Sequence, residues 1–129
     1  MAKDFATDIS NVLKEYVADA NRIIEDSARD AAEICTRQLK NTSPKGKGKG
    51  KRYANGWSVK SKQEGHLMSF IVYNKAKPGL THLLEYGHVI RNKKGTYGRT
   101  KPIKHIQPAE EAAAHKFELR VRARLRSLR

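Results

Sequence analysis

A single helical pattern at the start of the chain constrains the fold more than any other feature. Between residues 4 and 40, apolar side chains recur at intervals of three and four, which places them on one face of a helix, and neither Gly nor Pro interrupts the run. Asp8 near the start and Lys40 near the end complement the helix dipole. At about 1.5 Å per residue, this helix would reach roughly 50 Å. We therefore expect part of it to protrude or to pack on a neighbouring subunit; the alternative is a break near Asn21 that gives two shorter helices.

A basic, glycine-rich segment follows the helix. Pro44 disfavours helical geometry in the residue before it, and residues 45–52 read KGKGKGKR. Glycine entropy and lysine repulsion both oppose order, so residues 44–55 are predicted to form a flexible loop. It is either a solvated loop without a specific function or an arm that becomes ordered against DNA or an acidic neighbour.

The central part of the chain carries short β and helical patterns. Residues 57–62 and 66–73 are predicted to be two strands joined by a hairpin turn at 63–65. Residues 80–86 are predicted to form a short helix that Gly87 ends.

The last part of the chain is predicted to hold a strand, a loop and a helix. Residues 88–91 favour a short third strand, and a basic loop then runs to Pro108, which is predicted to open a final helix from Ala109 to about Leu128. The order of elements predicts an α+β fold: a long N-terminal helix, a small antiparallel sheet with a β-hairpin, a short middle helix and a C-terminal helix packed on the sheet.

The length of 129 residues predicts one domain with one modest core. Its predicted segments are the long helix (1–40), the flexible Lys/Gly loop (44–55), the sheet with the short helix and basic loop (56–107), and the C-terminal helix (108–129).

Positive charge is concentrated in the middle of the chain. The formal net charge is +14, but residues 1–40 hold 6 basic and 8 acidic side chains, whereas residues 41–105 hold 15 basic and 2 acidic ones. Such a field attracts polyanions, and nucleic acid or an acidic protein surface fits it equally well. No helix-turn-helix, zinc-finger or ribonucleoprotein motif accompanies the charge, so sequence-specific reading of bases is not predicted.

No pattern of residues indicates catalysis or a cofactor. His82, Glu85 and His88 lie close in sequence but match no zinc signature, and no serine has a G-x-S-x-G context. The lone cysteine, Cys35, sits among apolar neighbours and is interpreted as a small buried hydrophobe. We therefore expect no enzyme, no metal site and no cofactor. The absence of a long apolar run predicts no membrane span, and the N-terminus lacks the apolar core of a signal peptide.

The segment THLLEYGH, then a basic glycine-containing loop, then HIQPAEEAAAHKFE resembles the tailed-bacteriophage head–tail joining family, whose members include neck, minor tail-component and tail-completion-like proteins. The specific motifs are Leu83–Gly87 and His105–Ala109, with the long helix and the hairpin ahead of them. Asn55-Gly56-Trp57 stands where family members often have a small-residue-Gly turn. The Lys/Gly arm is richer in lysine than a typical member would need.

This resemblance implies a structural virion protein at the head–tail interface, made in the host cytoplasm, that forms a ring between the DNA-filled capsid and the tail. The implied partners are other copies of the chain, neighbouring connector, head-completion and tail proteins, and packaged double-stranded DNA, with no membrane. A tail terminator is a close alternative within the phage interpretation. Outside it, a non-specific nucleic-acid-binding protein or a small basic nuclease or toxin remains an alternative.

Two sets of residues are candidates for these roles. Contact with DNA or an acidic partner is assigned to basic side chains in two loops, and a structural role is assigned to the family motifs. Leu83, Leu84 and Tyr86 are expected in the core. Glu85 is expected either to pair with a nearby Arg or Lys or to cap a backbone amide. The contact set is Lys45, Lys47, Lys49, Lys51, Arg52, Lys93, Lys94 and Arg99; the structural set is Leu83, Leu84, Glu85, Tyr86, Gly87, His105, Pro108 and Ala109.

Overall fold

A computed structural model describes residues 5–45 and 52–128, and the side chain of Asn92 lies outside that description. The elements are two long and two short helices, a 3-10 turn and four strands. In chain order they are α1 (Phe5–Thr42), α2 (Arg52–Asn55), β1 (Trp57–Glu64), β2 (Leu67–Asn74), the 3-10 turn (Pro78–Leu80), α3 (Thr81–Tyr86), β3 (Val89–Asn92), β4 (Gly95–Arg99) and α4 (Ile106–Arg126). The α+β class predicted from the sequence is confirmed.

The first helix is continuous through Asn21, so the alternative of two shorter helices is wrong. It has 38 residues, which is about 57 Å of helix, and it ends two residues later than predicted. Its C-terminal half is packed against the rest of the protein, and Ser27, Ala31 and Leu39 are buried there. The first 22 described residues, 5–26, contain no buried side chain; we call them the outer half of α1.

The four strands form two separate antiparallel hairpins. In the first, β1 pairs with β2 from Trp57–Asn74 at the open end to Glu64–Leu67 at the turn. In the second, β3 pairs with β4, with an irregularity in register between Val89 and Arg91. The sequence predicted a loop where β4 lies, and this was wrong: GTYGR is exposed along its whole length and has no buried alternation that would mark a strand.

The core lies where the C-terminal half of α1 meets α2, the first hairpin and the start of α4. Its buried members are Cys35, Leu39, Tyr53, Trp57 and Ala109, and Val72, Leu80, Leu84, Ile106 and Ala113 pack against them. The prediction that Cys35 is a buried hydrophobe is confirmed, and burial raises the pKa of its thiol, with Glu110 adding to the effect. Trp57 is in the core, whereas Phe70 is only half-buried, under the guanidinium of Arg29.

The predicted flexible loop at 44–55 needs one correction. Its last four residues form α2, because the phenol ring of Tyr53 and the small side chain of Ala54 are buried against the core. Gly56, directly after α2, lies so close to β2 that a Cβ atom would approach the Ala76 Cβ atom to 2.6 Å. Residues 46–51 of the predicted loop lie outside the described residues.

Helix α4 runs alongside α1 and is fixed to it by an arginine. Arg124 donates one hydrogen bond to the hydroxyl of Ser27 and another to the carboxylate of Asp30, both at 2.9 Å. Arg120 approaches the same carboxylate at 3.1 Å. The hydrogen bond from Arg124 and the charges of both arginines outweigh the effect of burial and hold the pKa of Asp30 below its usual value. Arg120 and Arg124 are therefore half-buried against α1, whereas Arg122 and Arg126 are exposed.

Candidate functional site

The buried carboxylate of Glu85 binds the start of α4 across twenty residues of sequence. Its Oε1 atom accepts hydrogen bonds from the backbone N–H groups of His105 and Ile106, and its Oε2 atom accepts one from Gln107, all at 2.9 Å. These N–H groups have no partner within a helix, and the negative charge also faces the positive end of the helix dipole. Glu85 therefore replaces the local capping side chain that α4 lacks, since the side chain of His105 makes no cap.

The pKa of Glu85 reflects two opposing effects. Burial of the side chain, which is 3% exposed, would raise the pKa, but the hydrogen bonds from the three backbone N–H groups lower it, and the net direction is downward. The carboxyl group is therefore ionised at neutral pH, and its charge stabilises the folded state.

His105 connects this cap to α2. Its Nδ1 atom lies 2.8 Å from the carbonyl oxygen of Ile103, which can only accept, so the neutral ring carries its proton on Nδ1. Its Nε2 atom then accepts the hydroxyl proton of Tyr53 at 2.7 Å. Burial and the charge of Glu85 raise the pKa of Tyr53 to about 12, so the phenol is a stable donor in this network. We call Tyr53, Glu85 and His105 the buried junction.

The second hairpin is fixed to the buried junction by Gly87 and Thr100. Gly87 has a φ of +76°, and a Cβ atom there would lie 2.5 Å from the carbonyl oxygen of Thr100. The hydroxyl of Thr100 accepts a hydrogen bond from the backbone N–H of His88, and the backbone N–H of Thr100 donates to the carbonyl of His88. Gly87 therefore ends the short helix, as predicted. It does so in an extended conformation with positive φ, which glycine adopts without strain.

The second hairpin and the segment after it form a basic surface. From residue 86 to residue 109 there is no Asp or Glu, and the basic side chains are exposed, as are the rings of Tyr86 and Tyr97. Because Glu85 is buried in the cap, no carboxylate within this segment offsets the positive field at the surface. We call this the basic face; its cations are Arg91, Lys93, Lys94, Arg99, Lys101 and Lys104.

The predicted contact residues divide into two groups. Lys93, Lys94 and Arg99 lie on the basic face, and Arg99 also reaches the carbonyl oxygen of Tyr86 at 3.5 Å. Lys45 and Arg52 are exposed at the two ends of the Lys/Gly segment. The other three, Lys47, Lys49 and Lys51, lie outside the described residues. Arg52 is the last residue of the Lys/Gly segment, and the next residue, Tyr53, belongs to the buried junction.

The predicted structural residues gather around the same junction, with two corrections. Ala109 is fully buried, Leu84 packs on the core and Leu83 is half-buried. Tyr86 was expected in the core but is 63% exposed, and the ammonium group of Lys104 lies 4.0 Å from the centre of its ring. Pro108 was expected to open the last helix but is its third residue, where a missing N–H costs nothing.

Three buried polar groups were missed by sequence reasoning. Asn74 donates to the carbonyl oxygen of Tyr53 and accepts from the backbone N–H of Lys77. The hydroxyl of Ser43 accepts the indole N–H of Trp57 at 2.7 Å, and Ser27 is buried beneath Arg124. Asn74 and Ser43 lie at or just after the ends of elements, where Asn and Ser are ordinary, and Ser27 lies within α1; no signal in the sequence separates these residues from their exposed counterparts.

Residues 5–45 and 52–128 contain no group of three or more His, Cys, Asp or Glu side chains placed to hold a metal ion. Within the same ranges, no helix is both long enough and apolar enough to cross a membrane.

The fold and the basic face define a class: a small α+β protein with a long N-terminal helix, whose outer half has no buried side chain, and a basic surface without carboxylates. Residues 4–87 match the family described as "HK97-gp10_like: Bacteriophage HK97-gp10, putative tail-component", and the chain belongs to this family. The match includes α1, the first hairpin and the motif Leu83–Gly87, and it ends before His105–Ala109. Searches of the curated proteins and of the solved structures found no significant match. Membership carries with it a structural role in the phage virion.

Proposed function

We propose that this protein is a structural, non-catalytic subunit of a ring at the head–tail junction of a tailed phage, where it joins the DNA-filled capsid to the tail. The observation that carries the proposal is that one copy leaves two unlike surfaces open. The outer half of α1 exposes an apolar stripe, and the basic face exposes cations without a carboxylate among them. A subunit of a larger assembly needs such surfaces, whereas an isolated soluble domain gains nothing from them.

The basic face is proposed to line the channel through which double-stranded DNA passes. Lysine and arginine side chains bind phosphates without reading the sequence, as a channel that must pass a whole genome requires. Lys45 and Arg52, at the two ends of the Lys/Gly segment, are exposed, and Arg52 is next to Tyr53 of the junction that also anchors the second hairpin. We therefore propose that this segment and the basic face act together on the same polyanion.

The test is to replace Lys93, Lys94 and Arg99 by Gln in the phage and to count infectious particles. All three side chains are exposed, so thermal melting should not change, while joining of heads to tails should fall. A matched control replaces Lys116, Arg122 and Arg126 of α4 by Gln, which removes the same charge from exposed positions elsewhere. Normal infectivity of the first variant would contradict the proposed role of the basic face.

A DNA channel and an acidic protein ring predict different behaviour of the same variant in solution. If the three cations contact phosphates, affinity for duplex DNA should fall, and the slope of log affinity against log salt should decrease by about 3. If they contact an acidic neighbouring ring, DNA affinity should be unchanged while binding to that ring falls.

A non-specific nucleic-acid-binding protein is the second candidate. The observation that favours it is the exposure of Tyr86 and Tyr97, at 63% and 57%, among the cations of the basic face. Exposed aromatic rings between basic side chains suit stacking on single-stranded bases. This candidate would be favoured if the protein binds single-stranded nucleic acid tightly and is absent from purified particles. A protein located at the tail end of the junction would instead favour a tail terminator.

A further inference from the structure

The rest of α1, residues 27–42, is the inner half, and an apolar stripe on it packs against the core. The outer half continues the same stripe. Val17 lies 18 residues before Cys35, and Leu13 lies 18 residues before Ala31; 18 residues are five helical turns, so each pair shares one face of the helix. Cys35 and Ala31 are buried, whereas Val17 and Leu13 are more than half exposed. The exposed stripe consists of Phe5, Ile9, Val12, Leu13, Tyr16 and Val17, which are 44% to 77% exposed.

This stripe is large for a free surface. Six large apolar side chains lie along four turns of one helix, and monomeric soluble proteins rarely expose a contiguous apolar patch above about 300–600 Å². The groove beside the stripe is open, and its lining includes Ile9, Leu13 and Val17 together with His66 at the turn of the first hairpin. The first hairpin and α4 therefore bury the stripe on the inner half of α1 but leave it exposed on the outer half.

The net charge of the outer half indicates which surface would bind to its apolar stripe. Residues 5–26 hold five acidic and two basic side chains, a net charge of −3, whereas the rest of the described chain holds 20 basic and 7 acidic ones, a net charge of +13. Two outer halves would repel each other, and an outer half would be attracted to the body of another copy. An unlike-to-unlike contact of this kind is heterologous, and heterologous contacts form a ring when the rotation between neighbouring copies closes.

The first hairpin offers a matching surface on that body. Its inner face holds Trp57 and Val72, which pack on α1 of the same copy. Since side chains alternate across a strand, the opposite face holds Lys60 paired with Ile71 and, beside them, Tyr73. Ile71 is 38% exposed, and the ammonium group of Lys60 lies over the ring of Tyr73. This face is thus apolar and basic, the complement of an apolar and acidic helix.

We propose that the outer half of α1 of one copy packs on the outer face of the β1–β2 hairpin of the next copy. The hairpin would then be covered by a helix on both faces, one from its own chain and one from its neighbour. The inference deepens the proposed function, because it names the surface that would build the ring.

The first test measures self-association by light scattering at low salt over a range of concentrations. Leu13→Asp with Val17→Asp places two carboxylates in the stripe, and association is expected to weaken by at least about tenfold. The control, Asn11→Asp with Arg22→Gln, makes the same change of charge on the opposite face of the helix and should associate like the wild type. Circular dichroism must show the same helix content in all three proteins.

The second test identifies the two contacting surfaces. Leu13→Cys and Ile71→Cys variants are mixed under mild oxidation; the native Cys35 is buried, so the wild-type chain is the background. We expect the yield of disulfide-linked dimers in this mixture to be well above the yield from either variant alone. It should also exceed the yield from a mixture of Asn11→Cys with Ile71→Cys. Cross-linking of Leu13→Cys with itself to the same extent would overturn it, since two outer halves would then be in contact.

The outcomes separate this inference from the proposed ring. A wild-type oligomer that survives Leu13→Asp with Val17→Asp would overturn the inference and leave the ring intact, built through another surface. A wild-type chain that stays monomeric at every concentration and gives no cross-link would also overturn it, and a different virion protein would then be the occupant of the stripe. The ring itself is tested independently by the location of the chain in the particle.

Discussion

The Oε1 atom of Glu85 lies 2.9 Å from the backbone nitrogen of His105, and this hydrogen bond joins the end of α3 to the start of α4. The two residues belong to the two family motifs recognised in the sequence, so the motifs are in direct contact. The second hairpin lies between them in sequence, and both of its ends are therefore held at the buried junction. The position of the basic face depends on this contact.

Replacement of Glu85 by Ala should destabilise the protein by about 2–4 kcal/mol, because three backbone N–H groups lose a charged acceptor. Glu85→Gln keeps the shape but removes the charge, and should cost about 1–3 kcal/mol. Urea unfolding monitored by circular dichroism measures both. Glu64→Gln, at an exposed carboxylate on the first hairpin, is the control and should change stability by less than about 0.5 kcal/mol. Unchanged unfolding of Glu85→Ala would remove its role as the cap.

Glu85 should also make stability depend on acidic pH. Its pKa in the folded protein is lower than the value of an unfolded chain, so its contribution is fully present above that unfolded value and is lost as the pH falls through the folded one. The wild-type protein should therefore lose more stability on acidification than Glu85→Gln does. Parallel pH curves for the two proteins would contradict this assignment.

Gly87→Ala should be severely destabilising, by about 2 kcal/mol or more, since the residue has positive φ and a Cβ atom would contact the carbonyl oxygen of Thr100. Gly79→Ala is the matched control: no atom lies within 4 Å of its Cβ position, and its φ is ordinary. Thermal melting of the two variants compares them directly. A similar melting temperature for both would show that Gly87 is not constrained.

Tyr53→Phe should cost about 1–2 kcal/mol, because the Nε2 atom of His105 would be left buried without a donor. The pKa of Tyr53 is raised to about 12, so its contribution to stability is present below the ordinary value of about 10 and is lost as the pH rises towards 12. Ultraviolet titration of tyrosine ionisation should show a late component in the wild type that Tyr53→Phe lacks. A wild-type titration without a late component would argue against the buried hydrogen bond.

Arg124→Ala should destabilise the protein by about 1–2 kcal/mol, since it removes the hydrogen bond to the buried Ser27 and weakens the contact between α1 and α4. The ion pair with Asp30 adds little to this estimate because both side chains are partly exposed. Arg122→Ala is the control, because Arg122 is exposed and forms its ion pair with Glu118, one turn earlier on the same helix. Equal stability of the two variants would contradict the role of Arg124.

The parts of the fold that follow from local chemistry were predictable from the sequence. The unbroken periodicity of α1 gave its length to within two residues at its C-terminal end, the run of β-formers gave β2, and Gly87 gave the end of α3. The strand β4 was missed because all five of its residues are exposed, and a strand that is exposed on both faces carries no alternating apolar pattern. The hypothesis that Glu85 caps a backbone amide is confirmed, but the helix it caps could not be named from the sequence.

The start of α4 shows why a long-range contact limits sequence reasoning. Pro108 suggested a first helical residue at 109, whereas the helix begins at Ile106 because Glu85 supplies a cap from another element. The prediction that Tyr86 lies in the core was wrong for a similar reason, because its ring contacts the ammonium group of Lys104 at the surface. Whether a side chain meets the core or a charged neighbour depends on packing that periodicity does not encode.

The most direct test of the central proposal is cryo-electron microscopy of particles from the phage that encodes this chain. The proposal predicts a closed ring of density between capsid and tail into which the core, the buried junction and the protruding α1 fit, with the basic face turned to the channel. Particles that assemble, package DNA and infect without any copy of the chain at the junction would contradict it.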